Sequence, residues 1–298
     1  MWTAVRTEKE MFDLILGFAE NDSRVRAVVM NGSRANPSAK KDVMQDYDIV
    51  YLVDDYESFL ADHKWIDVFG DKLVYQLPDD SELYPNDRRD NGFGYLMQFK
   101  DGNRIDLSLA KKEDYYGYCF DDRLSVVLLD KDGFLPKLPE PDESTHRIKK
   151  PSLRIFNDCR CEFWWVSPYV AKGLWRGQIL FAQKHMEMCI RKELERMLGF
   201  YAGAANQFTV SAGKCGDRLR DYIPVDWWQR YLKTYAECDE ERVWEALFEA
   251  AALFSEVTAK TASLLGFTYS CEWDNNVPKY LRYVKDLERD AETMSFSL

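Results

Sequence analysis

The feature that most constrains the fold is a change of hydrophobic period near residues 134–151. Before it, short strand-like apolar runs alternate with helix-like stretches; beyond it, nearly every apolar pattern repeats at helical spacing. In the first half, Glu8 to Ala19 is predicted as a helix, Val25 to Met30 and Tyr47 to Val53 as strands, and Tyr56 to Phe69 as a second helix. Lys72 to Leu77, Gly94 to Phe99, Arg104 to Leu109 and Ser125 to Leu129 read as further strands, and Asp101-Gly102 can supply the positive φ angles of a hairpin turn. Pro136, Pro139, Pro141 and Pro151 among charged residues suit an extended linker. In the second half, Leu153 to Val166 reads as a helix. Ser167-Pro168 offers an N-cap and first-turn proline for a segment ending near Gly199, and Asp226 to Glu237, Glu240 to Leu265 and Val277 to Glu292 follow. The expected fold class is α+β: an N-terminal domain with a small mixed sheet over residues 1–135, a linker over 136–151, and a C-terminal all-helical bundle over 152–298.

Composition narrows the function. Of 298 residues, 46% are hydrophobic, enough for large cores, yet no apolar run approaches the ~18 residues of a membrane span. The start Met1-Trp2-Thr3-Ala4-Val5-Arg6 lacks the order of a signal peptide, so a cytoplasmic protein without a membrane partner is expected. The seven cysteines, irregularly spaced, read as reduced, buried thiols. Cys159-x-Cys161 has no second Cys or His pair to complete a zinc site. A formal charge of −11 argues against nucleic acid as the main substrate, because phosphate binding needs Lys and Arg. The same charge would attract a cationic small molecule, although acidic proteins are commonly just solubilised by it.

The stretch that carries chemistry is Asn31-Gly32-Ser33-Arg34, followed by Gln45-Asp46-Tyr47-Asp48-Ile49-Val50-Tyr51. Gly32 and Ser33 come directly after an apolar strand, where glycine lets the backbone approach a phosphate while amides and a hydroxyl donate to it. Arg34 can add a positive fork for phosphate oxygens. Asp46 and Asp48, two apart on a predicted strand, present both carboxylates on one face with Cα atoms roughly 6.7 Å apart. That pair can hold two Mg²⁺ ions clamping the oxygens of an in-line displacement at phosphorus. Taken singly, Gly-Ser is an ordinary turn and Asp-Tyr-Asp a solvent-facing strand start; the order of the parts is what favours chemistry.

That order resembles the DNA polymerase beta-like nucleotidyltransferase superfamily. More narrowly, the two motifs, the start Arg6-Thr7-Glu8-Lys9-Glu10 and the helical segment from Cys161-Glu162-Phe163-Trp164-Trp165 to Gly173-Leu174 resemble the aminoglycoside 6-adenylyltransferase (streptomycin adenylyltransferase) family over nearly the whole chain. The resemblance implies an N-terminal nucleotidyltransferase domain, a helical domain closing the acceptor side of an active-site cleft, ATP as donor, and transfer of AMP to a streptomycin hydroxyl. The superfamily pattern needs a third carboxylate on a neighbouring strand. Asp106 in Arg104-Ile105-Asp106-Leu107 is the best candidate, as metal ligand or as general base, unless it is a surface aspartate paired with Arg104 or Lys100. Glu82, Asp87, Asp121 and Asp122 are held in reserve.

Asp158, Glu162 and Trp165 follow i, i+4, i+7 spacing, a stripe suited to a cationic sugar, although interface packing explains the same pattern. Ala212-Gly213-Lys214-Cys215 is not a phosphate loop, since Phe208 and Cys215 stand where glycine and a hydroxyl residue are needed. Lys214 can still reach a triphosphate, as the resemblance suggests, or be a solvated loop lysine. The expected function is therefore a magnesium-dependent nucleotidyltransferase acting on a cationic aminoglycoside. The alternatives are transfer to another antibiotic or a protein hydroxyl, and a non-catalytic nucleotide-binding sensor.

Overall fold

The computed structural model describes residues 4–84 and 92–297, and the chain divides into two compact units, Met1–Thr145 and His146–Leu298. In the first unit, α1 (Glu8–Asn21) starts at a capping box: the Thr7 side chain accepts from the Glu10 amide, and the Glu10 carboxylate accepts from the Thr7 amide at 2.7 Å. Such reciprocal caps stabilise a helix start by about 1 kcal/mol. Six strands follow: β1 (Val25–Asn31), β2 (Tyr47–Val53), β3 (Lys72–Gln76), β4 (Gly92–Phe99), β5 (Arg104–Lys111) and β6 (Ser125–Asp130). They form one mixed sheet in the order β3-β4-β5-β2-β1-β6, parallel between β2 and β5 and antiparallel elsewhere. Alternation along β2 sends Tyr47, Ile49 and Tyr51 into the core shared with Met11 and Ile15 of α1. Val50 and Leu52 face the other way, packing with Ala27, Val29 and Ala110. The buried Tyr51 hydroxyl donates to the Ile15 carbonyl at 2.6 Å, tying α1 to the sheet.

The single helix expected over 56–69 is two pieces, α2 (Tyr56–Leu60) and a 3₁₀ stretch (His63–Phe69). Asp62 separates them by adopting extended backbone and capping the Lys64 amide, a competition with the helix ladder that short polar side chains win locally. A short α3 (Tyr115–Phe120) precedes β6.

The second unit is helical: α4 (Leu153–Trp175), α5 (Ile179–His185), a π-helical turn (Met186–Arg191), α6 (Lys192–Ala205), α7 (Val225–Lys233), α8 (Glu240–Leu265) and α9 (Glu272–Asp286). Ser167-Pro168 does not start a helix. It lies inside α4, where the Ser167 hydroxyl donates back to the Phe163 carbonyl at 2.7 Å and the buried face of Val166, Val170 and Ala171 holds the helix through the proline. The chain turns instead after Trp175, where Gly177 takes φ +68°. The core centres on Phe163 of α4 and Phe254 of α8, stacked with centroids 3.7 Å apart. All seven cysteines are free thiols, but only Cys119 and Cys159 are buried, while Cys161, Cys215, Cys238 and Cys271 are exposed, against the expectation of burial. Among the described residues, no helix is long and apolar enough to cross a membrane.

Candidate active site

Strand register gathers the motif. Asn31 of β1 pairs with Asp48 of β2, and Asp48 pairs with Asp106 of β5, so the three side chains stand side by side on one face at one end of the sheet. Immediately after β1, Gly32, Ser33 and Arg34 form one 3₁₀ turn. Gly32 has φ +73°, and a Cβ placed on it would lie 2.2 Å from the Asp48 Oδ2 atom. Glycine is therefore required twice over, by the left-handed backbone and by the carboxylate packed against it. The Gly32 amide donates to the Leu124 carbonyl at 3.1 Å, which anchors the turn and leaves Ser33, exposed, as its outward hydroxyl.

Asp46 sits one residue before β2 rather than on it. Its carboxylate lies 3.8 Å from Arg104 Nε. Arg104 also forms a two-armed pair with Asp106, Nε to Oδ1 at 2.8 Å and a terminal nitrogen to Oδ2 at 2.7 Å. Asp106 is thus the strand aspartate paired with Arg104, and at the same time the direct lateral neighbour of Asp48. The Asp106 hydrogen bond, with added pull from Asp46 and Asp48, raises the Arg104 pKa above its ordinary value. Arg34 is placed differently from a free phosphate clamp: it stacks on the Tyr47 ring at 3.8 Å and donates to the Asp46 and Gln45 carbonyls at 2.9 Å each, and to Glu8 at 3.1 Å. Its fork holds the loop that carries Asp46.

The donor set fits magnesium in kind, three carboxylates collected at one sheet end. Among the described residues, no group of three or more His, Cys, Asp or Glu side chains is placed so that it could hold a metal ion by itself, and the Arg104 guanidinium stands between Asp46 and Asp106. Of the reserve acids, Glu82 and Asp121 are exposed and Asp122 caps the Leu124 amide at 2.9 Å; Asp87 lies outside the described residues. Two contributors were missed as site residues in the sequence. Arg104 was considered only as a partner of Asp106. The Asn31 side-chain amide donates to the Tyr118 carbonyl while its Oδ1 is buried without a partner, beside Asp48. Arg104 stands two residues before Asp106 and Asn31 directly before Gly32, which is the signal that could have marked them.

In the second unit, Asp158, Glu162 and Trp165 are all exposed along α4. Asp158 faces Arg154 at 4.0 Å in a solvent-screened pair, and Trp165, 67% exposed, lines an apolar cavity of about 640 Å³ with Trp164, Tyr169, Trp175 and Tyr280. Lys214 is exposed, in the short turn after Gly213.

A Gly-Ser turn after one strand, feeding two adjacent strands that carry the aspartates, in a mixed sheet followed by a helical unit, is the arrangement of a nucleotidyltransferase. The streptomycin adenylyltransferase family model matches residues 5–284, and the chain belongs to that family. It is 40% identical over 277 residues to an aminoglycoside 6-adenylyltransferase of Campylobacter jejuni, covering 93% of this chain and 95% of that one. Its identity to the protein of the same description in Bacillus subtilis (strain 168) is 38% over 279 residues, covering 93% and 97%. The crystal structure of an aminoglycoside 6-adenyltransferase from Bacillus subtilis matches with 34% identity and a TM-score of 0.46, over 95% of this chain and all of that one.

Proposed function

We propose that this enzyme transfers AMP from ATP to a hydroxyl of a streptomycin-type aminoglycoside and releases pyrophosphate. The observation that carries the reading is the in-register row of Asp48 and Asp106 beside the Gly32 turn, in a chain whose relatives are described as aminoglycoside 6-adenylyltransferases. Gly32 keeps the backbone bare where the triphosphate approaches, and Ser33 offers its hydroxyl. Asp46, Asp48 and Asp106 would hold two Mg²⁺ ions, which neutralise triphosphate oxygens and favour attack by the acceptor. Asp106 is the third ligand or the base that takes the acceptor's proton. In the transfer, the acceptor oxygen forms a bond to the α-phosphorus and the bond from that phosphorus to the bridging oxygen of the β-phosphate breaks. The protein's part is positioning and electrostatic stabilisation. Asp158 and Glu162 can pair with the guanidinium or ammonium groups of the acceptor, and the Trp165 indole can stack on them.

The test is pyrophosphate release from ATP and Mg²⁺ with and without streptomycin, with Asp48→Asn as the control. Release that needs streptomycin and falls by about 10³-fold in the variant supports the reading, a loss of roughly 4 kcal/mol of transition-state stabilisation. Release triggered only by another hydroxylated compound refutes the streptomycin assignment. No release with any acceptor, despite ATP binding, refutes catalysis and leaves a nucleotide-binding protein.

A further inference from the structure

We propose that Arg104 is the resident counter-cation of the carboxylate set, neutralising Asp46 and Asp106 while the metal is absent and yielding that place when the metal–nucleotide complex arrives. The inference rests on the reading of Asp46, Asp48 and Asp106 as metal ligands. Three aspartates at one sheet end repel one another, and Arg104 is a cation set between two of them, paired through two hydrogen bonds to Asp106 and at 3.8 Å from Asp46. Its fork engages both oxygens of Asp106, so a divalent ion on that carboxylate meets a guanidinium already there.

The two arginines of the site differ in how they are held. Arg34 is 11% exposed, stacked on Tyr47 and bonded to two backbone carbonyls and Glu8, so it is fixed. Arg104 stands at the first position of β5, is 41% exposed, and its guanidinium hydrogen bonds run to Asp106. Breaking one two-armed pair releases it to solvent without disturbing a backbone group. Arg104 is thus a positioning residue: it keeps the carboxylates together in the empty enzyme and sets how strongly they take a metal without nucleotide.

The experiment is direct binding of Mn²⁺, an oxygen-ligand analogue of Mg²⁺ with a paramagnetic signal, to the full chain, with and without ATP. Without ATP, Arg104→Met is expected to bind Mn²⁺ about tenfold more tightly than wild type, the effect of removing a positive charge beside a divalent ion in a water-like dielectric. Arg104→Lys keeps the charge and should stay within about threefold of wild type. The metal-free Met variant should melt below wild type, and saturating Mn²⁺ should raise its Tm by more than it raises that of wild type. Arg104→Gln, which keeps a donor to Asp106 but no charge, should tighten binding as Met does. Unchanged or weaker Mn²⁺ binding in both the Met and Gln variants overturns the inference and makes Arg104 a purely structural clamp. Absence of Mn²⁺ binding by wild type even with ATP overturns the metal-site reading itself, and with it this inference.

Discussion

Gly32→Ala separates what the fold needs from what the chemistry needs. Alanine at φ +73° costs about 1–2 kcal/mol in backbone strain. Its Cβ would lie 2.2 Å from Asp48 Oδ2 and 2.9 Å from Cγ, so the carboxylate must retreat by roughly 1 Å to reach ordinary contact. That retreat is cheap for stability, because a half-buried Asp side chain can rotate, and the expected fall in Tm is only about 3–5 °C. Turnover should suffer far more, since a misplacement of about 1 Å in a positioned group costs on the order of 100-fold. Thermal denaturation and acceptor-dependent pyrophosphate release, measured on the same preparation, check both numbers. A variant with the expected Tm loss but turnover within about threefold of wild type would refute the argument that Gly32 exists to let Asp48 stand where it does.

Two further outcomes are expected. Burial of Asp101 opposes its charge, but hydrogen bonds from Arg6 and Asn103 outweigh that and hold its carboxyl well below the usual range. A depressed pKa contributes stability that is fully present above the unfolded value, about pH 4, and is lost as pH falls through the folded one. Asp101→Asn should therefore lower stability at pH 7 by about 2–3 kcal/mol and flatten the acid limb below pH ~4, seen in urea unfolding across pH; an acid limb as steep as wild type would contradict this. Trp165→Ala, at a 67% exposed position, should leave Tm within about 1 °C of wild type while raising KM for streptomycin about tenfold with KM for ATP unchanged; equal KM values would remove Trp165 from acceptor binding.

The sequence by itself determined the local parts. Short runs rich in β-branched and aromatic residues marked all six strands to within two residues at each end; β1 and β2 are buried on both faces, whereas β3 is largely exposed and is legible from its composition alone. The Gly-Ser turn after β1 and the Asp46–Asp48 spacing were likewise visible, being properties of a few consecutive residues. Helix breaks were not, where two local codes competed: Asp62 ended a helix that apolar spacing alone would continue, and packing carried α4 through a proline that reads as a start. What only the tertiary structure decided was register and partnership. The lateral pairing of Asp48 with Asp106 depends on β2 and β5 lying parallel and adjacent although they are far apart in the chain. The duties of Arg34 and Arg104, one locked under the loop and the other forked onto Asp106, follow from which carbonyl or carboxylate each meets in space. An arginine's sequence neighbours specify its charge; the groups that satisfy its five donors are chosen by the fold.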